Sequence, residues 1–154
     1  MLNSSFKVCG ISVRTTNKAE MGSNAKLGQL WNRFFAENIL QKIPQRVGDE
    51  LYAVYCNYES DFNGEYDCLV GVKTELSEPI DGLTSIEVPA GNYLKLKTER
   101  GPVFQVVGGL WQKIWSMSPS EIGGIRSYIA DYEVYGAEAA NPNDARVEIL
   151  IGYK

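Results

Sequence analysis

The sequence predicts an α+β fold made of two tandem strand-helix-strand-strand units related by a pseudo-two-fold axis. Their strands would form a mostly antiparallel sheet with two long helices on one face. Three observations predict it: short motifs that recur at a nearly constant offset, two amphipathic helical patterns, and a pair of strand-like segments after each helical pattern.

Three motifs recur in the same order in the two halves of the chain. Leu30-Trp31 recurs as Leu110-Trp111, and YAVY at 52–55 recurs as YEVY at 132–135, each 80 residues further on. DCLVGVK at 67–73 resembles EILIGYK at 148–154, with an offset of 81. Such self-similarity predicts an internal duplication. We therefore expect a single domain over residues 1–154, with repeat one at about 6–77 and repeat two at about 83–154.

Each half is predicted to contain the same elements. Alternating or β-branched residues predict opening strands at 8–16 and 92–99. Apolar residues spaced three and four positions apart predict amphipathic helices at 25–43 and 103–116. Two strands are predicted after each helix, at 51–59, 65–73, 128–136 and 146–153.

Composition limits the function classes. The chain has 154 residues, a net charge of −4 and no His, and its Lys and Arg residues are scattered. A phosphate backbone requires clustered basic residues, so we expect no direct nucleic-acid partner. No membrane-length apolar run or signal-peptide pattern occurs, which predicts a cytoplasmic protein without membrane contact. Without His or closely paired Cys, we expect neither a metal site nor a cofactor.

The duplication provides an internal control, because residues shared by both copies are most simply explained by packing. Trp31 and Trp111 match, so a core role is the simplest interpretation of both. The copies differ where Glu133 replaces Ala53, in the middle of an aromatic and β-branched stretch. Alternation along the strand puts Glu133 and Tyr135 on one face. This difference makes Glu133 the first candidate for a functional residue.

A second carboxylate, Glu148, belongs to the last predicted strand. If the strand register aligns the two acids, Glu133 and Glu148 share a face that the helix carrying Trp111 and Trp115 can cover. Desolvation there would raise the pKa of Glu133, and a delocalised organic cation would supply the missing counter-charge together with cation–π attraction. Alternatively the face is solvated and both acids are ordinary surface charges. Arg14, Arg100 and Arg126 are each expected to be solvated surface charges.

The motifs together resemble the GyrI-like effector-binding family. They are the SVRTT strand, the LWNRF and LWQKI helix motifs, YEVYG, and the closing EILIGYK, and they span essentially the whole chain. That family forms the ligand-sensing domain of AraC-type and MerR-type regulators, and this chain is most similar to stand-alone members encoded by integron gene cassettes that bind cationic drugs. The resemblance implies a pocket between helices and sheet with an acidic base and aromatic walls. By motif, it implies ligand-binding roles for Glu133, Glu148, Tyr135, Trp111, Trp115, Tyr55 and Trp31.

Three functions remain open at this stage. The favoured hypothesis is a drug-sensing or sequestering module for lipophilic aromatic cations, with no catalytic residue. Because the repeats use nearly the whole chain, no DNA-reading domain is expected, and a homodimer or a separate regulator chain remains open as a partner. The alternatives are a hydrolase of electrophilic small molecules that uses Glu133 or Glu148 as general base, and a protein-interaction inhibitor of the gyrase-inhibitor type.

Overall fold

An antiparallel sheet of seven strands forms the centre of the computed structural model, which describes all residues from 1 to 154. The strands are β1 (Phe6–Thr15), β2 (Arg46–Cys56), β3 (Tyr66–Thr74), β4 (Thr84–Val88), β5 (Asn92–Lys97), β6 (Arg126–Tyr135) and β7 (Glu148–Tyr153). The helices are α1 (Asn17–Glu20), α2 (Leu27–Ala36), α3 (Val103–Trp115) and α4 (Pro119–Ile122), with 3₁₀ turns at Ile39–Lys42 and Ala137–Ala139. None of them is long and apolar enough to cross a membrane.

The two longest helices, α2 and α3, pack on the same face of the sheet. Leu30 of α2 belongs to a core cluster with Ala53, and Ile114 of α3 to a second cluster with Ile149. Ala53 and Ile149 are the two cross-strand partners of Glu133, so all three side chains share one face. The predicted α+β class, antiparallel sheet and helix placement are confirmed.

The strand order relates the two halves through the centre of the sheet. The order is β4-β1-β3-β2-β6-β7-β5, so β2 of the first half pairs with β6 of the second. Residues 53 and 133, equivalent in the repeat, are direct partners in this antiparallel pair. The pseudo-two-fold axis therefore passes between Ala53 and Glu133. Two Glu residues at these positions would place two buried carboxylates side by side, about 5 Å apart.

Several element boundaries differ from the sequence prediction, and the strand predicted at 51–59 is observed as β2 at Arg46–Cys56. The helix predicted at 25–43 is shorter, because Asn38 adopts a left-handed conformation with φ 51° between α2 and the 3₁₀ turn. Asn tolerates this conformation better than most residues, and it ends the α-helical hydrogen bonding. The short strand β4 was not predicted, and it pairs antiparallel with β1 of the first half.

The sheet is strongly curled. The chain leaves one edge strand at Val88 and enters the other edge strand at Asn92, a span of at most about 14 Å. In a flat sheet of seven strands the two edges would lie about 29 Å apart. The face opposite the helices is the concave one, because Phe6 of β1 and Tyr93 of β5 both contact Tyr132 there. A buried cluster fills it: Val8, Tyr52, Val54, Leu69, Val88 and Tyr132.

We predict that Ala53→Glu destabilises the fold, because residue 53 is fully buried, directly opposite Glu133, and would bring a second carboxylate to the pseudo-two-fold axis. The free energy of unfolding in urea at pH 7 should fall by about 3–5 kcal/mol. The matched control is Ser12→Glu on the exposed side of β1, which should change it by less than about 0.5 kcal/mol. Equal stability of the two variants would contradict this placement of residue 53.

Candidate functional site

A cavity of about 410 Å³ lies over the centre of the sheet, lined by residues of α2, α3 and strands β2, β3 and β6. This volume falls within the range of small-molecule sites. Hydrophobic residues make up 13 of its 20 lining residues, which suits a ligand with a largely apolar body.

Glu133 lies at the base of this cavity and is only 1% exposed. Its carboxylate accepts three hydrogen bonds from neutral donors. The Tyr55 hydroxyl and the Trp111 indole N–H donate to Oε2 at 2.8 Å and 2.6 Å, and the Tyr135 hydroxyl donates to Oε1 at 2.6 Å. The carboxylate is thus held in one position by donors from β2, β6 and α3.

No Lys or Arg forms an ion pair with Glu133, although the carboxylate is buried. Burial raises the pKa of Glu133, because the desolvation cost of the charged form outweighs the three hydrogen bonds that favour it. Burial and the nearby Glu133 charge also raise the pKa of Tyr55 and of Tyr135 well above the ordinary value. Both phenols therefore stay protonated at neutral pH and remain donors.

The aromatic walls follow the duplication in a crossed arrangement. Trp31 of the first half packs edge-to-face on Tyr135 of the second half, with ring centroids 4.8 Å apart. Trp111 of the second half packs on Tyr55 of the first half in the same way, with centroids 5.3 Å apart. Each helix Trp thus contacts the strand Tyr of the other repeat, and all four rings line the cavity.

Six of the seven residues assigned from the sequence line the cavity, and Glu148 does not. In the β6–β7 register Glu148 pairs with Val134, while Glu133 pairs with Ile149. Neighbouring strand residues point to opposite faces. Glu148 therefore lies on the face away from the helices, where its carboxylate is 3.7 Å from Lys95 Nζ. The alignment of the two acids considered from the sequence is wrong.

Several cavity residues were missed by sequence reasoning. Tyr66 shares a face of β3 with Cys68 and Val70, so alternation of the strand could have identified it. Phe62 lies in the connection between β2 and β3 and stacks on Trp115, with centroids 6.1 Å apart and planes 8° apart. The other lining residues that were not assigned, apart from glycines, are Asn17, Glu20, Met21, Ala25, Leu27, Tyr58, Phe104, Val107, Gln112 and Arg126. Met21, Tyr58 and Phe62 lie in connecting segments, where no periodicity of the sequence applies, whereas Phe104 belongs to α3 and Arg126 to β6.

Two repeat-equivalent glycines also line the cavity. Gly28 in α2 and Gly108 in α3 are 80 residues apart, and a Cβ at either would meet no atom within 4 Å. A glycine inside a helix costs about 1 kcal/mol relative to Ala. No protein atom occupies the space that a side chain at either position would fill, so this space is part of the cavity.

Arg126 is buried, contrary to the surface position expected from the sequence. Its side chain is 7% exposed, and Nη2 donates to Asp131 Oδ2 at 2.6 Å. Burial acts to lower the pKa of Arg126, but the adjacent Asp131 carboxylate reverses this effect and raises it. Asp131 is fully buried and also accepts from the Tyr58 hydroxyl and from Gly152 N–H at 2.8 Å. The charges of Arg126 and Asp131 neutralise each other, whereas that of Glu133 is left without a counter-charge.

Another depression, of about 600 Å³, lies beside the N-terminal strand. Polar residues dominate its lining, only 3 of its 10 lining residues are hydrophobic, and it includes both Lys and Glu side chains, so it does not share the chemistry of the Glu133 cavity. No group of three or more His, Cys, Asp or Glu side chains is placed to hold a metal ion.

Comparison with known proteins gives consistent matches over the chain. The model of a family described as "Integron-associated effector binding protein" matches residues 3–152. The "Putative transcriptional regulator protein YobU" of Bacillus subtilis (strain 168) is 29% identical over 150 residues, which cover 96% of this chain and 92% of that protein.

Two solved structures share the fold. The integron cassette protein VCH_CASS2 of Vibrio cholerae superposes with a TM-score of 0.75 at 31% identity, covering 100% of this chain and 94% of that one. SAV2435, in a structure bound to tetraphenylphosphonium, superposes with a TM-score of 0.78 at 16% identity, covering 100% and 92%. At this lower identity the second match shows likeness of fold alone.

The free energy of unfolding should decrease with rising pH because of Glu133. Its folded-state pKa is raised, so its contribution to stability is fully present below its unfolded pKa of about 4.3 and is lost as the pH rises through the folded pKa. The loss is about 1.4 kcal/mol for each unit by which the folded pKa exceeds the unfolded one. Glu133→Gln, which cannot ionise, should remove this decline.

Urea unfolding between pH 4 and pH 8 checks the expectation. The matched control is Glu148→Gln, the same substitution on the opposite face of the sheet, which should keep the wild-type profile in this range. Parallel profiles for wild type and Glu133→Gln would contradict the raised pKa.

Proposed function

We propose that this chain, which belongs to the family of integron-associated effector-binding proteins, binds lipophilic aromatic cations in the Glu133 cavity. The observation that carries the proposal is a buried carboxylate with no basic partner at the base of an aromatic cavity. Binding of this kind would serve to sense or sequester such compounds.

Electrostatics favours a positive ligand. In the unbound protein the charged form of Glu133 is destabilised by desolvation, and this raises the pKa of Glu133. A cation in the cavity lowers the energy of the charged form and gains Coulomb attraction that water screens only weakly. The binding free energy therefore includes relief of a penalty already present in the folded chain.

Hydrogen-bond capacity favours a delocalised cation over a metal ion or a small ammonium group. A carboxylate has about four lone-pair positions, and three on Glu133 are occupied by Tyr55, Tyr135 and Trp111. Only about one position is left for a metal ion or a small ammonium group, each of which needs several oxygen partners. A lipophilic cation needs no direct hydrogen bond, because it acts on the carboxylate at a distance while its apolar surface packs on the rings by dispersion and cation–π attraction.

The likeness to SAV2435 supports the same ligand class. That protein binds tetraphenylphosphonium, a cation whose charge is enclosed by four aromatic rings, and it shares the fold of this chain. A chain with this fold can therefore accommodate a bulky aromatic cation, and the Glu133 cavity has the chemistry that such a ligand requires.

Tetraphenylphosphonium should change the intrinsic fluorescence on binding, because all three Trp residues of the chain line the cavity. We expect Glu133→Gln to weaken its affinity at least tenfold. Two charges about 6 Å apart at an effective dielectric of about 20 are worth roughly 3 kcal/mol. Glu148→Gln, the matched control, should bind like wild type, and tetraphenylborate, which has the same shape and the opposite charge, should not bind. Equal affinities of the two Gln variants would contradict the role of Glu133.

Cavity volume should limit binding independently of charge. Gly108→Leu places a side chain in the cavity, whereas Gly109→Leu adds the same side chain one position along α3 at a residue that does not line it. Neither Cβ meets an atom within 4 Å, and replacing a helix glycine should stabilise each variant by about 0.5–1 kcal/mol. We expect the tetraphenylphosphonium affinity to fall at least tenfold in Gly108→Leu only. An equal effect of the two substitutions would argue against binding in this cavity.

A further inference from the structure

The buried guanidinium of Arg126 has two nitrogen atoms without a hydrogen-bond partner. Nε and Nη1 are the only buried side-chain nitrogen or oxygen atoms of the protein in this condition. Buried donors without a partner are rare in native proteins, because each loses its hydration without compensation. Arg126 also lines the cavity that contains Glu133, so a ligand in that cavity would lie beside this guanidinium.

A bulge in β6 brings Arg126 to the cavity side. The β6–β7 register shifts between Arg126 and Asp131, and Tyr128 within this segment has a φ of 52°. This conformation is strained for a residue with a large side chain. Strict alternation would place Arg126 and Asp131 on opposite faces, but the bulge allows them to form an ion pair. Bulges of this kind commonly direct a side chain into a functional site.

The surroundings of Arg126 fix its guanidinium in place. Its Cζ lies 4.4 Å from the ring centroid of Tyr128 and 6.0 Å from that of Trp111, and Nη2 is held by Asp131. Trp111 also donates to Glu133, so the same indole contacts the Glu133 carboxylate and lies near the guanidinium. Asp131 balances the charge of Arg126, so the cavity still attracts a cation, while Arg126 retains two N–H groups without a partner.

We propose that Arg126 forms a second polar subsite in this cavity, which binds an acceptor oxygen of the ligand through Nε–H and Nη1–H. The preferred ligands are then aromatic cations that also carry a carboxylate or carbonyl oxygen, with the cationic centre toward Glu133 and the oxygen toward Arg126. This inference rests on the proposed function and adds a specificity that charge and shape alone do not give.

Two probes with the same skeleton test it. Benzyltriphenylphosphonium has no acceptor oxygen, and (4-carboxybenzyl)triphenylphosphonium adds one carboxylate. Their dissociation constants are measured by calorimetry for wild type and for Arg126→Lys, which keeps a positive charge beside Asp131 but lacks the planar fork of donors. A second variant, Arg126→Gln with Asp131→Asn, removes both buried charges together. The test can then be carried out even if Arg126→Lys does not fold.

The measured quantity is the preference for the carboxylated probe, defined as the ratio of the two dissociation constants. We expect this ratio to fall on the order of tenfold or more in both variants, as for the loss of a hydrogen bond to a charged group. A ratio that stays within about threefold of the wild-type value in the folded variants would overturn the proposal. If the plain probe binds wild type in a Glu133-dependent manner and the ratio does not respond, the Arg126 subsite alone fails. If neither probe binds, both the subsite and the proposed function fail.

Discussion

Burial of the Glu133 carboxylate without a positive partner is the constraint on which the rest of the site depends. A charge in this position would be expelled or protonated unless donors surrounded it, and here Tyr55, Tyr135 and Trp111 provide three hydrogen bonds. These donors fix the carboxylate but do not cancel its desolvation, since the pKa of Glu133 remains raised. The cavity is thus organised around a carboxylate that no Lys or Arg of the chain neutralises.

The duplicated fold explains why the aromatic residues around the single Glu133 charge are arranged almost symmetrically. Each repeat supplies one Tyr from its central strand and one Trp from its long helix, and the rings pack across the axis in the crossed pairs Trp31–Tyr135 and Trp111–Tyr55. The residue on the axis breaks the symmetry of this frame, because Ala53 and Glu133 face each other and a second carboxylate would be repelled. The two repeats thus contribute equivalent aromatic walls, and the difference between Ala53 and Glu133 places one carboxylate between them.

Those features that depend on short-range periodicity could be predicted from the sequence. The repeat marked Glu133 as the residue that differs, and alternation placed Tyr135 on the same face. Glu148 could not be placed, because its face depends on the register between β6 and β7, which are joined by a long connection. Arg126 was expected to be a surface charge, as Arg usually is, and it precedes the strand predicted at 128–136. The bulge at Tyr128 would also have interrupted any alternation extended to it. Phe62 lies in a connecting segment, where neither strand nor helix periodicity applies.

The most direct test of this account is the number of protons exchanged when a cation binds. Calorimetric titration with tetraphenylphosphonium in two buffers of different ionisation enthalpy gives that number, and it should be repeated across the pH range in which Glu133 titrates. If Glu133 is the counter-charge, the bound cation lowers the pKa of the carboxyl group, so wild type should release a fraction of a proton on binding and Glu133→Gln should release none. Binding without proton release at any pH in this range, or equal release from the two proteins, would contradict the central role of the Glu133 charge.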